Sequence, residues 1–230
     1  MIDDGSGSVP LRIDPVLGFQ GYGNPAGRFW FVGMEEHGAK TEADIELELE
    51  WRSAFRPIED LIAVHEQWDR EFRARASDRR PFDPRRLIPT WGTMSKLVLR
   101  LSGCSEWEDL ETVRDYQSKR LGRLDGETFL TELLPLPAPN SRDWPELYHG
   151  FFPDRDAYVG AVVSERIRRL RALLDQHQPE YVFCYGKVNW KRYREVFKPA
   201  DVQAILGGRM EVGRVGTSTT VLTPFFARHS

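Results

Sequence analysis

Apolar residues along this chain fall into short solid runs and longer periodic ones. "RFWFV" (28–32), "ETFLTELLPL" (127–136), "EYVFCYGK" (180–187) and "STTVLTP" (218–224) are compact, rich in aromatic and β-branched side chains, and bounded by Gly or Pro, which predicts four buried strands. Between them the period lengthens to that of a helix. "TEADIELELEWRSAFRPIEDLIAVHEQWDREFRARASD" from Thr41 predicts two helices broken near Pro57. "TMSKLVLRLSG" and "DLETVRDYQSKRLG" predict two more, with Gly103 and Gly122 as stops. "DRDAYVGAVVSERIRRLRALLDQHQP" sets Val159, Val163, Ile167, Leu170 and Leu174 on one helix face, with Asp154 and Asp156 at its start and Pro179 at its end. "NWKRYREVF" is a short basic helix.

Strands that are apolar throughout and alternate with helices predict an α/β fold, a three-layer α/β/α sandwich with a mostly parallel central four-stranded sheet. Residues 1–10 are expected to be a disordered tail. Residues 11–230 form one domain with a helical insertion at about 41–122. "ASDRRPFDPRRLIPTWG" and "PAPNSRDWP" are expected to be loops, because proline interrupts both.

The polar residues gain meaning from this pattern. Ligands of open α/β sheets bind outside the carboxyl ends of the strands, and here those ends run into "GMEEHG", "PLPAPNSR", "GKVNWKR" and "TPFFARHS". Buried ionisable groups are costly unless paired or used, so Glu35, Glu36 and His37 directly after an apolar strand are candidate site residues.

Composition then narrows the classes. The 230 residues carry a formal net charge of −3, which argues against a globally basic nucleic-acid binder but leaves room for a local basic groove. Two cysteines, Cys104 and Cys184, cannot make a disulfide framework or a four-thiolate cluster, and both are expected to be reduced core residues. The acidic, glycine-rich start lacks the features of a signal peptide, and no stretch approaches the ~20 apolar residues of a membrane span, so a cytoplasmic monomer is expected. His65, His149 and His177 have no partner signature, and His37 is expected to be a wall or surface residue.

The four strand exits, in this order, resemble the motifs of the uracil-DNA glycosylase superfamily. "FVGMEEHG" is similar to its first motif, "LTELLPLPAPNSRDWP" to a later one, with Thr131, Pro139, Asn140 and Arg142 in place, "HQPEYVFCYGK" to the next, and "TPFFARHS" to the closing His-containing motif. Motif order is nearest to the bacterial iron–sulfur branch. That branch's four cysteines are absent, so no cluster is implied. The residue after Thr131, Asn in that branch, is Glu132 here, and the proline of the first motif is replaced by Glu36.

The resemblance implies a monofunctional DNA glycosylase without metal or cofactor, acting on a flipped-out uracil or modified, cytosine-derived base in repair or in defence against foreign DNA. Glu35 takes the position of the water-activating acid, with Glu36 as rival, and His229 that of the residue donating to the departing base. Gly33, Met34 and Glu132 fall at base-recognition positions. A carboxylate at 132 only accepts hydrogen bonds, so it suits the exocyclic amine of a cytosine rather than the O4 of uracil, provided that it faces the pocket. Asn140, Arg142, Lys187, Trp190, Lys191, Arg192 and Ser230 are expected to contact DNA, with Trp190 and Tyr193 interleaving a basic cluster for stacking. "RRPFDPRR" (Arg79, Arg80, Arg85, Arg86) is a second basic cluster. The alternatives are a catalytically silent nucleic-acid-binding member of the fold, and a metal-dependent hydrolase using Glu35, Glu36, His37 and His229.

Overall fold

The computed structural model describes residues 12–38, 40–78, 80–140 and 143–226, with the backbone but not the side chains of Glu36 and His37. The elements are α1 (Asp14–Gly18), β1 (Gly21–Gly23), β2 (Phe29–His37), α2 (Glu42–Arg52), β3 (Ile58–Glu59), α3 (Leu61–Glu71), α4 (Pro89–Leu101), α5 (Leu110–Lys119), β4 (Thr128–Ala138), α6 (Arg155–His177), β5 (Tyr181–Tyr185), α7 (Trp190–Phe197), β6 (Ala200–Ile205), β7 (Met210–Val215) and β8 (Ser218–Thr223). Short polar side chains start four of the helices. Thr41, Asp60, Asp109 and Asp154 each accept a backbone N–H three residues on. Gly103 and Gly122 follow α4 and α5 at φ +80 and +66, a conformation that favours glycine.

The chain is α/β, but the expected sheet of four mostly parallel strands is too small. One mixed sheet of eight strands runs in the order β3-β1-β4-β2-β5-β8-β7-β6. The four anticipated strands, β4-β2-β5-β8, lie contiguously in its middle and pair in parallel. The added strands lie at the edges: short β1 antiparallel to β4, and a β6–β7 hairpin antiparallel to β8. Both edges escaped the sequence pattern because β1 and β3 are very short and every residue of β6 is exposed, leaving no apolar alternation to find.

Side chains of β2 alternate between two cores. Phe29 and Phe31 pack with Leu61 of α3, Val98 of α4 and Val113 of α5, whereas Trp30 and Val32 pack with Leu170 of α6 and with Tyr193 and Phe197 of α7. Helices therefore cover both faces. Phe31 stacks on Phe183 of β5 at 5.3 Å between ring centroids, and Phe29 on Tyr181 at 5.7 Å, so aromatic pairs span the parallel ladder. Strand β4 runs two residues further than expected and includes Pro135 and Pro137. It tolerates them because antiparallel β1 begins only at Gly21 and its register reaches no further along β4 than Leu130, so the end of β4 has lost one neighbour. The Leu136 N–H is met by the Tyr158 hydroxyl at 3.0 Å, and the Tyr148 hydroxyl donates to the Pro137 carbonyl at 2.7 Å.

The apolar stripe of α6 is one residue out of place. Its buried face is Tyr158, Val162, Arg166, Leu170 and Leu174, while Val159, Val163 and Ile167 are half-buried. An arginine in the middle of this face disguised it. The Arg166 guanidinium, 2% exposed, donates to the carbonyl oxygens of Phe19 at 2.5 Å and Glu132 at 2.6 Å, tying α6 to β4 and to the segment before β1. Burial pushes its pKa down to about 10. No helix among the described residues is long and apolar enough to cross a membrane.

Arg166→Met should cost about 2–4 kcal/mol in urea denaturation, because two buried carbonyls lose their donor. Arg166→Lys should recover only part of this, since an ammonium cannot span both oxygens as a planar fork does.

Candidate functional site

A cavity of about 330 Å³ opens where the carboxyl-terminal halves of β2, β4 and β5 meet. Glu35, Glu132 and Tyr185 come from these strands; Phe19, Gln20 and Tyr22 from around β1; His65, Trp91 and Met94 from α3 and α4. Aromatic rings with a few polar groups are the usual make-up of a small-molecule pocket.

Glu132 faces this cavity. Its neighbour in the β2–β4 register is Gly33, and a Cβ at Gly33 would lie 2.0 Å from Glu132 Oε2. The missing side chain therefore makes room for the carboxylate. Tyr185, on the strand at the other side of β2, reaches across the same gap and donates its hydroxyl to Glu132 Oε1 at 2.7 Å. Thr131 donates its hydroxyl to the Gln20 carbonyl, which holds the β1 segment against β4.

Glu35 lies in the same cavity wall with a different partner. Arg155, the first residue of α6, grips it in a bidentate pair at 2.7 and 2.8 Å, and both side chains are largely buried. Burial raises the Glu35 pKa above its ordinary value, opposed by the guanidiniums of Arg155 and, more remotely, Arg192.

Other expected site residues fall elsewhere. Met34 packs into the cores on the α6 side, because strand alternation turns it away from the cavity; it is not a base-recognition side chain. Trp190 and Tyr193 are core residues, 6% and 0% exposed, rather than stacking platforms. Together with Val196 and Phe197 they form the apolar face of α7, and the Trp190 indole donates to the Thr223 carbonyl at 3.2 Å. Lys187 and Lys191 are exposed, with Lys187 Nζ 5.4 Å from the centre of the Trp190 ring, and Arg192 is half-buried. Asn140 is not brought to the cavity. It lines a separate hollow with Pro139 and Trp144, and its side-chain oxygen accepts the Asp143 N–H at 3.0 Å. Arg80 pairs with Asp78 and Arg85 with Glu111, so part of the first basic cluster is neutralised locally. Arg79, Arg142, His229 and Ser230 lie outside the described residues, as do the side chains of Glu36 and His37.

Arg155, Arg166, Tyr185 and His65 escaped the sequence reading. One signal was available: a cation in the first turn of a helix opposes the helix dipole, so Arg155 there points to an anionic partner. Among the described residues no group of three or more His, Cys, Asp or Glu side chains is placed to hold a metal ion. No family model matches the chain, and no curated protein matches it.

Gly33→Ala should displace the Glu132 carboxylate from Tyr185 and cost about 1–3 kcal/mol, and Glu132→Ala in the same chain should relieve that cost; thermal denaturation of the single and double variants measures it. Arg155→Gln should cost about 2–4 kcal/mol, because it leaves the Glu35 carboxylate buried without its partner, and Glu35→Gln in the same chain should relieve part of that cost. Because the native Glu35 pKa lies above its unfolded value near 4.5, the native state holds its proton to higher pH. That contribution is present in full below the unfolded pKa and is lost as pH rises through the native one. The stability of the wild type relative to Glu35→Gln should accordingly decline from about pH 4.5 upward, then level off once native Glu35 is ionised.

Proposed function

We propose that this chain is a DNA glycosylase-like enzyme whose cavity takes a flipped-out, amine-bearing base, of the cytosine type, and hydrolyses its N-glycosidic bond. The observation that carries the reading is the Glu132 carboxylate, held by Tyr185 over Gly33 inside an aromatic-walled cavity at the carboxyl ends of the parallel strands. Its oxygens accept and do not donate, which fits an exocyclic amine and repels a carbonyl. Phe19, Tyr22 and Trp91 supply faces for a planar ring.

Breaking the C1′–N bond builds positive charge on the sugar, and a carboxylate beside it lowers that barrier. Glu35 supplies this charge. Burial moves its pKa toward the range in which a carboxylate takes a proton from water, while Arg155 fixes its orientation. The exposed Lys187 and Lys191 beyond β5 offer cations to the DNA backbone.

One observation favours a second reading, a binding module that does not cut. Both Glu35 oxygens are engaged by Arg155, and a carboxylate so occupied is a poor base unless the pair opens.

Oligonucleotides carrying uracil, cytosine or 5-substituted cytosine, assayed for alkali-labile abasic sites, test the proposal. The expected result is release of an amine-bearing base, a loss of about 10²–10⁴-fold in Glu35→Gln with binding retained, and a shift toward uracil in Glu132→Gln. Robust uracil release that Glu132→Gln leaves untouched would overturn the base assignment. Tight binding of the oligonucleotides without any abasic product would establish the second reading.

A further inference from the structure

A second cavity of about 860 Å³ lies beside the first, and His65 stands in the wall of both. His65 Nδ1 donates to the Leu61 carbonyl at 2.8 Å, which fixes the imidazole between the two spaces. The second cavity is walled by aromatic faces. Trp51 and Trp68 lie 5.1 Å apart, and Phe82 lies 5.1 Å from His65. Two carboxylates of α2 join them, Asp44, 8% exposed, and Glu48. Trp51 is only 5% exposed, and its indole N–H has no acceptor among the described residues. A buried donor left without an acceptor is unusual in a folded protein, but this atom is covered, so Trp51 offers the cavity its ring rather than its N–H.

Charge narrows what the cavity can take. Lys40, Arg80 and Arg86 stand in the wall with Asp44, Glu48 and Asp78, and Glu48 is held in turn by Arg52 at 3.0 Å. Arg80 is already held by Asp78, with Nε at 3.0 Å, and the Asp44 carboxylate accepts the Ser77 N–H at 2.8 Å. Each wall carboxylate among the described residues is thus already engaged, and a metal cation would find none to spare. The wall instead combines flat apolar faces with carboxylate acceptors. A pyranose ring has the complementary pattern, with C–H faces to lie on the aromatic rings and hydroxyls that both donate and accept.

We propose that the second cavity binds a neutral, hydroxyl-rich ring of the hexose class, carried as a substituent on the base that occupies the first cavity. This rests on the base-binding reading above and extends it to the bulk attached to that base. The shared His65 wall puts the substituent within reach while Glu132 holds the base.

Binding is measured by titrating the full chain with oligonucleotides bearing 5-hydroxymethylcytosine, bare or with a hexose on its hydroxymethyl oxygen, and with methyl hexoside alone. The hexosylated oligonucleotide should bind about tenfold more tightly than the bare one, roughly the effect of 1.4 kcal/mol. Trp51→Phe should abolish that difference and leave the affinity for the bare oligonucleotide unchanged. Phe82→Leu should do the same, which guards against a misfolded Trp51 variant. Saturation by methyl hexoside, lost in Trp51→Phe, with both oligonucleotides bound alike, would support the sugar site and overturn its link to the base. Equal affinity for the two oligonucleotides and no response to methyl hexoside would overturn the proposal. Failure of the base-binding reading shows separately, as oligonucleotide affinity that does not depend on Glu132, and the hexoside titration still judges the second cavity in that case.

Discussion

The candidate site depends on a vacancy in the sheet at Gly33. Because β2 has no side chain there, the Tyr185 hydroxyl from β5 and the Glu132 carboxylate from β4 meet across it. The same glutamate is anchored through its backbone, since Arg166 donates to its carbonyl from beneath. A carboxylate fixed at both ends loses little freedom when it meets a ligand, and that is the physical content of pre-organisation. Any side chain at position 33 would push it out of the cavity.

Two carboxylates share this cavity but have unlike partners. Glu35 is gripped by a guanidinium in a bidentate pair, whereas the Glu132 carboxylate accepts the Tyr185 hydroxyl and meets the Arg166 guanidinium through charge alone. Burial nevertheless raises the Glu35 pKa, so desolvation outweighs the opposing pair. Carboxylates whose surroundings differ in this way can divide labour, one reading a ligand and the other meeting charge that develops during a reaction.

The basic segments behave differently from what their sequence suggests. In α7 the aromatic residues at helical spacing form an apolar face buried against the sheet, and Arg194 on its outer side pairs with Glu211 of β7 at 2.6 Å. Arg80 and Arg85 after α3 are likewise partnered by Asp78 and Glu111. Exposed ion pairs of this kind add little stability, yet they flatten the field over the surface. Among the described residues beyond β5, the exposed Lys187 and Lys191 remain open to an anionic partner, close to the carboxyl edge.

Local chemistry alone determined the number and place of the central strands, the helix starts at Asp109 and Asp154, and the helix stops at Gly103 and Gly122. Period, capping and backbone freedom act within a few residues of each other and can be read from neighbours in the chain. Glu35 drew attention for the same reason, as a carboxylate placed where an apolar strand ends, whereas Gly33 and Glu132 were singled out through the resemblance of their motifs. Tertiary structure alone decided that Glu132 turns inward, that Met34 turns away, and that Arg155 lies on Glu35 across 120 residues of sequence. It also decided that an arginine occupies the buried face of α6, and that exposed β6 extends the sheet. These outcomes depend on which strands become neighbours and on the burial of a charge whose partners are backbone carbonyls. Neither leaves a periodic trace in the order of residues, because the energies involved arise only between segments that the fold has already brought together.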